Sequence, residues 1–197
     1  MSNSLTDLEG RRRFIAGMSA ALAGLSSPQP VLGQSTPQYG IEGHIAPELE
    51  LDYWIDRNGE PGSFSVTDSR GKWVMLKCFQ DWCPGCHSSG FPTLKAFADR
   101  FAHHHDVVIA GIQTVFEGFS ANTVEDVRKL QLQYDLPILM GHDPGDPEGD
   151  HRPQTMIKYR TGGTPWIILI NPQGRVVYNH FHVNSDRLIA YVDEQIS

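Results

Sequence analysis

The sequence predicts an α/β fold with a central mixed β-sheet flanked by helices and an N-terminal β-hairpin extension. The apolar runs 73–79 and 107–113 are typical of buried strands, and the helical pattern between them implies a parallel crossover. The fully apolar run 167–170 is followed by a turn and a strand pattern at 175–182, which adds an antiparallel pair. A chain of 197 residues with 40% hydrophobic content is sufficient for one domain with a sizeable core.

The hairpin extension is expected ahead of this sheet. Leu49, Leu51 and Tyr53 alternate with polar neighbours, which is the pattern of a half-buried strand. Residues 57–60 then indicate a turn, and residues 64–66 resume an extended pattern. The two extended segments are therefore expected to pair with each other.

The other elements follow in order along the chain. A helix is expected from Pro84 to about His103, because apolar residues recur there at helical spacing. Gly90 and Pro92 should kink this helix. After the strand at 107–113 come an amphipathic helix, a short strand and, beyond the final hairpin, a closing helix. Their predicted bounds are 123–134, 138–140 and 186–196.

Two cysteines follow the first buried strand in the run Trp82-Cys83-Pro84-Gly85-Cys86-His87. If a helix begins at Pro84, Cys83 lies at its N-terminus, where unpaired N–H groups and the helix dipole favour a thiolate. Pro84 suits the first helical position because its missing N–H is not needed there. Cys86 lies about one turn further in, close enough to Cys83 to form a disulfide but deeper. The pattern predicts a redox-active dithiol with Cys83 as the nucleophile.

A second motif precedes the apolar run 167–170. Thr164 and Pro165 stand almost directly before that strand, where a proline is unusual. A cis bond between Thr164 and Pro165 would turn the chain sharply and leave the preceding backbone free to pair with an extended peptide. The motif therefore predicts a place where an extended chain binds.

With both motifs in view, the chain resembles the thioredoxin-fold thiol-disulfide oxidoreductases, in particular the exported TlpA- and ResA-like proteins, which are related to the redoxin and AhpC/TSA groups. The resemblance rests on residues 82–86 and 162–165 and runs from about Ala46 to the C-terminus. It implies a thioredoxin-like fold in which Thr164 and cis-Pro165 lie beside the dithiol and help to hold a substrate's backbone.

The resemblance also implies an activity. It indicates an exported enzyme that exchanges the Cys83–Cys86 dithiol with client protein disulfides, as a reductant, and that needs no cofactor besides this redox-active disulfide. The implied partners are client proteins with disulfides or thiols and a membrane thiol-disulfide electron donor. Trp82 and Pro84 are assigned to support of the site, since the flat indole shields the dithiol while leaving Cys83 reachable.

The chain departs from the family at the positions that manage protons. Thioredoxins keep a buried acid six residues before the first cysteine, and that position is Lys77 here. A charged Lys77 would favour the thiolate of Cys83 or Cys86. Lys77, Asp81 and His87 are therefore the candidates for proton transfer.

The first 33 residues resemble a twin-arginine export signal. The run Arg11-Arg12-Arg13-Phe14-Ile15 precedes an apolar stretch shorter than the roughly 20 residues of a membrane-spanning helix. We expect a signal segment at 1–33, a linker at 34–44 and a thioredoxin-like domain at 45–197. The enzyme is then periplasmic or otherwise exported, with an uncleaved N-terminal anchor as the alternative. The net charge of −7 opposes binding to nucleic acid.

A thiol peroxidase of the peroxiredoxin type is a second enzymatic interpretation, because it shares the fold. Such antioxidant enzymes carry a Thr and a Pro at set positions before the reactive cysteine. Those positions are Gln80 and Leu76 in this chain. The residues that would orient a peroxide are therefore absent.

Non-enzymatic binding of metal or haem is the third interpretation. Residues 83–87 also match the attachment motif of c-type haem, although no second axial ligand stands out. Cys83, Cys86 and His87 could hold copper or zinc, and the loop 141–151 is rich in His and acidic residues. A solvated loop is the preferred interpretation of that segment, so no metal site is assigned.

The third cysteine, Cys78, has no partner if Cys83 and Cys86 bridge each other. It lies within an apolar run, which favours a buried small hydrophobic residue. A resolving or regulatory thiol is the alternative.

Overall fold

The computed structural model describes residues 39–146, 148 and 152–196. The export signal expected at 1–33 and residues 34–38 of the linker lie outside the described residues, so this division of the chain stays a prediction. The described strands are β1 (Tyr53–Ile55), β2 (Trp73–Phe79), β3 (Val107–Val115), β4 (Leu139–Pro144), β5 (Trp166–Ile170) and β6 (Val176–His180). The described α-helices are α1 (Phe91–Phe101), α2 (Val124–Gln133), α3 (Gln154–Lys158) and α4 (Ser185–Ile196).

The strands form one mixed sheet in the order β1-β4-β3-β2-β5-β6. Strands β2, β3 and β4 run parallel, whereas β5 is antiparallel to β2, β6 to β5 and β1 to β4. The interior strand β2 is buried along its whole length. This mixed sheet flanked by helices confirms the predicted fold class.

The two faces of the sheet carry separate hydrophobic clusters, and β2 contributes to both. Met75 and Phe79 pack in the cluster that contains the apolar faces of α1 and α4. Leu76 and Cys78 pack in the other cluster. Because successive side chains of a strand point to opposite faces, Lys77 lies on the α1 side of the sheet.

The helix after β2 begins at Pro84, as predicted. The backbone is π-helical over Cys86–Gly90 before α1 proper starts at Phe91, so the expected irregularity lies just ahead of Pro92. Apolar side chains of α1 are buried against the sheet, each worth about 1.5–3 kcal/mol. This packing holds the start of the helix, and with it the dithiol, against the end of β2.

The N-terminal hairpin is shorter than predicted. The N–H of Gly62 donates to the Trp54 carbonyl at 2.9 Å, but residues 64–66 form no strand, and β1 pairs with β4 at the sheet edge. The reason is a competing acceptor, because the Glu48 carboxylate accepts the N–H of Val66 at 2.8 Å. That N–H is therefore not available to a strand partner.

The remaining predicted elements are present with shifted ends, and α3 is an additional short helix. The buried Asp143 carboxylate accepts hydrogen bonds from the N–H groups of Gln154 and Thr155, at 2.9 and 2.8 Å, and so satisfies the start of α3. Within the part of the chain that is described, no helix is long and apolar enough to cross a membrane.

Candidate active site

Cys83 and Cys86 lie where the chain leaves β2 and the helix begins. Both are free thiols, so the structure describes the reduced form. The N–H of Cys86 donates to Cys83 Sγ at 3.4 Å, and Cys83 Sγ donates to the Thr164 carbonyl at 3.6 Å. Cys83 is 9% exposed and Cys86 is 0% exposed. An incoming sulfur can therefore reach Cys83 before Cys86.

Cys86 is surrounded by groups that act on its proton. Burial raises the pKa of the Cys86 thiol to about 12. Hydrogen bonds from the Gln80 backbone and the Thr164 side chain lower that pKa, and the neighbouring Cys83 raises it. The reduced protein thus holds Cys86 as a protonated thiol, with donors already placed to stabilise its thiolate.

The bond between Thr164 and Pro165 is cis, as predicted. Pro165 is buried against the start of the helix. A Cβ added to Gly85 would lie 3.3 Å from Pro165 Cδ, and one added to Gly90 would lie 2.9 Å from Pro165 Cβ. The two glycines permit this close approach because they lack a Cβ. The two motifs predicted from the sequence therefore form one site.

The other two support residues lie at the surface of this site. Trp82 is 45% exposed, and its indole lies against Gly118, where an added Cβ would be 2.7 Å from Trp82 Cδ1. Pro84 is also exposed. On the side of the Thr-Pro motif, the exposed ring of Phe181 lies 4.0 Å from the position of a Cβ on Gly163. Apolar surface is therefore available next to the reachable thiol.

Lys77 lies on the face of the sheet that carries the dithiol, and it is only 2% exposed. Its neighbours across the sheet are Gly111 of β3 and Ile167 of β5, and its Cε is 3.5 Å from the position of a Cβ on Gly90. Burial lowers the pKa of the Lys77 amine to about 8, and the three thiols, Cys86 foremost, act to raise it. Among the described residues, no carboxylate contributes to this balance.

Asp81 and His87 are linked to α2 and its C-terminal end. His87 Nδ1 lies 2.6 Å from the Tyr134 hydroxyl, and His87 Nε2 meets the Asp81 carbonyl oxygen. Asp81 Oδ2 forms an ion pair with Lys129 Nζ at 2.8 Å. Both ring nitrogens of His87 therefore have partners, and these side chains secure the dithiol turn to the neighbouring helix.

Cys78 lies on the opposite face of the sheet from the dithiol. It is completely buried, and burial raises the pKa of its thiol to about 12. The sheet separates its sulfur from Cys83 and Cys86, so it cannot resolve a disulfide formed at the site. This placement agrees with a buried hydrophobic residue.

The loop considered for metal binding has other contacts in its described part. His142 Nδ1 lies 2.8 Å from Gln113 Oε1, and the Asp143 carboxylate is directed at the start of α3. Asp150 and His151 lie outside the described residues. Among the residues described, one group has three metal-ligating atoms within 4.8 Å of one another, and it follows α1: His104, His105 and Asp106.

Two residues of the site, Gln80 and Tyr134, are not evident from the motifs. Gln80 is fully buried, its carbonyl accepts the N–H of Cys83 at 3.3 Å, and its side-chain Nε2 lies 3.4 Å from Thr164 Oγ1. A polar residue between a buried strand and the dithiol is the signal that could have revealed it. Tyr134 carries no such signal, because it is 47 residues from His87 in sequence.

Comparisons with known proteins agree with this geometry. Residues 43–179 match the model of the AhpC/TSA family. A thiol-disulfide isomerase from Corynebacterium glutamicum is 32% identical, with a TM-score of 0.64 and coverage of 77% of this chain and 97% of that one. A thioredoxin-like superfamily protein is 29% identical, with a TM-score of 0.66 and coverage of 77% and 94%. No protein with a curated description matches the chain.

A third solved structure supports the fold alone. The thioredoxin domain of a thiol-disulfide oxidoreductase from Bacteroides vulgatus is 24% identical, with a TM-score of 0.58. The alignment covers 80% of this chain and 99% of that domain. The described sheet and helices therefore have the thioredoxin-like arrangement.

Proposed function

The chain belongs to the AhpC/TSA family and is a thiol-disulfide oxidoreductase with a thioredoxin-like fold, and we propose that it is an exported reductant of protein disulfides. One observation carries this proposal. A reachable thiol, Cys83 at 9% exposure, is paired with a fully buried thiol, Cys86, beside a cis-proline motif. This arrangement suits a two-step exchange in which the first sulfur attacks and the second resolves.

The proposed reaction moves two electrons from the dithiol to a client. The thiolate of Cys83 attacks one sulfur of the client disulfide, a mixed disulfide forms, and the other client sulfur leaves as a thiolate that takes up a proton. Cys86 then attacks the Cys83 sulfur, which breaks the mixed disulfide. The client is released as a dithiol, and the Cys83–Cys86 disulfide remains.

The client is held by surfaces around the reachable thiol. The carbonyl of Thr164 lies 3.6 Å from Cys83 Sγ. The backbone before Pro165 is therefore close enough to the reactive sulfur to form hydrogen bonds with the backbone of a client segment. The exposed indole of Trp82 offers an apolar contact on the other side. Pro84 starts the helix that presents Cys83.

Proton management is assigned to Lys77. Its amine lies on the dithiol side of β2, and the thiol that raises its pKa most is Cys86. Asp81 and His87, the other two candidates, have partners in Lys129 and Tyr134. The geometry therefore favours Lys77 as the group that balances the charge of the resolving thiolate.

The exported location and the electron donor complete the proposal. The resemblance of residues 1–33 to a twin-arginine signal supports a periplasmic enzyme. A reductant in an oxidising compartment must be returned to the dithiol form after each turnover. A membrane thiol-disulfide protein is the proposed donor, and no cofactor beyond the Cys83–Cys86 pair is required.

The equilibrium reduction potential of the Cys83–Cys86 pair tests the direction. Titration in dithiothreitol or glutathione buffers, read by the fluorescence of Trp82, should give a value near that of thioredoxin, about −270 mV. A value near that of DsbA, about −120 mV, would make the enzyme an oxidant and refute the proposed direction.

Trapping tests the two-step scheme. Cys86→Ser should accumulate a mixed disulfide between Cys83 and a model disulfide substrate, and Cys83→Ser should form none. Mass spectrometry of the non-reduced protein identifies the adduct. Rapid turnover of hydrogen peroxide by the wild type, with little exchange on protein disulfides, would favour the peroxidase interpretation.

A further inference from the structure

Gln80 connects both cysteines to the Thr-Pro motif. Its carbonyl accepts the N–H of Cys83 at 3.3 Å, and its backbone acts to lower the pKa of the Cys86 thiol. Its side-chain amide donates from Nε2 to Thr164 Oγ1 at 3.4 Å. Gln80 is completely buried, and its Oε1 has no partner among the described residues. Burial of a polar atom without a hydrogen-bond partner costs free energy, so the presence of Gln80 at this position calls for an explanation.

The explanation lies in the hydrogen-bonding capacity of the Thr164 hydroxyl. Thr164 Oγ1 has one proton to donate and lone pairs that accept. Because Nε2 of Gln80 occupies an acceptor position, the proton of Oγ1 stays available for the sulfur of Cys86. The Thr164 side chain acts to lower the pKa of the Cys86 thiol, which is the direction expected when its hydroxyl donates to this sulfur.

Thr164 serves the two sulfurs with different groups. Its backbone carbonyl accepts from Cys83 Sγ at 3.6 Å, while its hydroxyl acts to lower the pKa of the Cys86 thiol. Among the described residues, the Gln80 side chain forms a hydrogen bond with the Thr164 hydroxyl and with no other group. A change in the Gln80 side chain should therefore affect Cys86 and leave the contact of Cys83 with Thr164 in place.

We propose that Gln80 is a positioning residue that acts through Thr164: its amide directs the Thr164 hydroxyl at Cys86 and so stabilises the thiolate that resolves the mixed disulfide. This inference rests on the proposed exchange function. In the resolving step, the bond between Cys83 and the client sulfur breaks and the Cys83–Cys86 bond forms. The proton that Cys86 gives up ends on the departing client thiolate. Hydrogen bonds donated to a buried anion are stronger than those donated to a neutral group. The rate of the resolving step therefore depends on the Thr164 hydroxyl.

The test separates the two steps in single-turnover experiments with a fluorescent disulfide peptide. Gln80→Met removes the amide at similar volume, and quenched-flow sampling follows the mixed disulfide. Without the amide the Thr164 hydroxyl is no longer held towards the Cys86 thiolate, and weakening of that hydrogen bond to a charged group predicts resolution about tenfold slower, with the first attack by Cys83 unchanged. The mixed disulfide should therefore accumulate in this variant.

Two further variants show whether Gln80 acts through Thr164. Thr164→Val removes the hydroxyl and should slow resolution at least as much as Gln80→Met does, whereas Thr164→Ser keeps the hydroxyl and should restore most of the rate. In the Thr164→Val background, Gln80→Met should have no additional effect. Gln113→Met is the matched control, because Gln113 is also fully buried and its side chain pairs with His142.

Several results would overturn the inference. The first is an unchanged resolution rate in folded Gln80→Met. The second is equal slowing of the attack by Cys83 and of the resolution by Cys86. The third is an undiminished effect of Gln80→Met on resolution in the Thr164→Val background. Thermal melts identify a variant that fails to fold, in which case Gln80→Ala replaces it. If the wild type itself forms no mixed disulfide, the proposed function fails; if only the Gln80 variant behaves as wild type, the inference fails alone.

Discussion

Replacing Lys77 with methionine should stabilise the fold and impair thiol exchange at the same time. Burial lowers the pKa of the Lys77 amine from its ordinary 10.5 to about 8. That difference corresponds to about 3 kcal/mol of free energy against the charged amine in the folded state. At pH 7 the amine is charged in both the folded and unfolded chain, so the wild type bears this cost. A buried methionine of similar volume does not.

The stability gained by Lys77→Met should depend on pH within a defined range. The folded pKa lies below the unfolded one, so between about pH 8 and pH 10.5 the unfolded chain binds the extra proton. The contribution of Lys77 to the free energy of unfolding therefore rises with pH across this window. The advantage of Lys77→Met should be greatest at or below pH 7 and should shrink towards zero by about pH 10.5.

Urea denaturation of the reduced protein, followed by far-ultraviolet circular dichroism at a series of pH values, measures this difference. Met75→Leu, on the same face of β2, is the matched control and should show no such dependence on pH. In single turnovers, Lys77→Met should resolve the mixed disulfide more slowly, because a positive charge near Cys86 is gone. A variant less stable than the wild type at pH 7, or a gain independent of pH, would refute the reasoning.

Two other residues give predictions of different kinds. Burial acts to raise the pKa of Glu48, but backbone N–H donors including Val66 hold it at about 2. The stability that the Glu48 carboxylate contributes should therefore be lost as the pH falls from about 4.5 to about 2. Glu48→Gln should cost about 1–2 kcal/mol at pH 7 and remove that acid-sensitive part, as urea titrations at pH 3 and 7 would show. Cys78→Ala should lower the unfolding free energy by about 1 kcal/mol while thiol exchange proceeds at the wild-type rate, since Cys78 lies across the sheet. Slower exchange in a folded Cys78→Ala variant would contradict this placement.

Most of the fold is predictable because its signals are local. Strands β2, β3 and β5 coincide with largely apolar runs, and the helical segment after β2 begins at Pro84, as its position after Cys83 predicts. The N-terminal hairpin was predicted less well, since alternation at 64–66 does not reveal that Glu48, 18 residues before Val66, captures its N–H. Such a competition between side chain and strand partner is visible only in three dimensions.

The sequence by itself determined the chemistry: Cys83, Cys86 and the Thr164–Pro165 motif are recognisable because short spacings along a helix or before a strand define them. The tertiary structure decided how that chemistry is controlled. It brought Thr164 within 3.6 Å of Cys83 across 81 residues of sequence and left Cys83, but not Cys86, within reach of solvent. These properties depend on which side chains meet when the sheet and helices pack, and burial sets their energies. No local pattern encodes them, because each arises from segments that are distant in the chain.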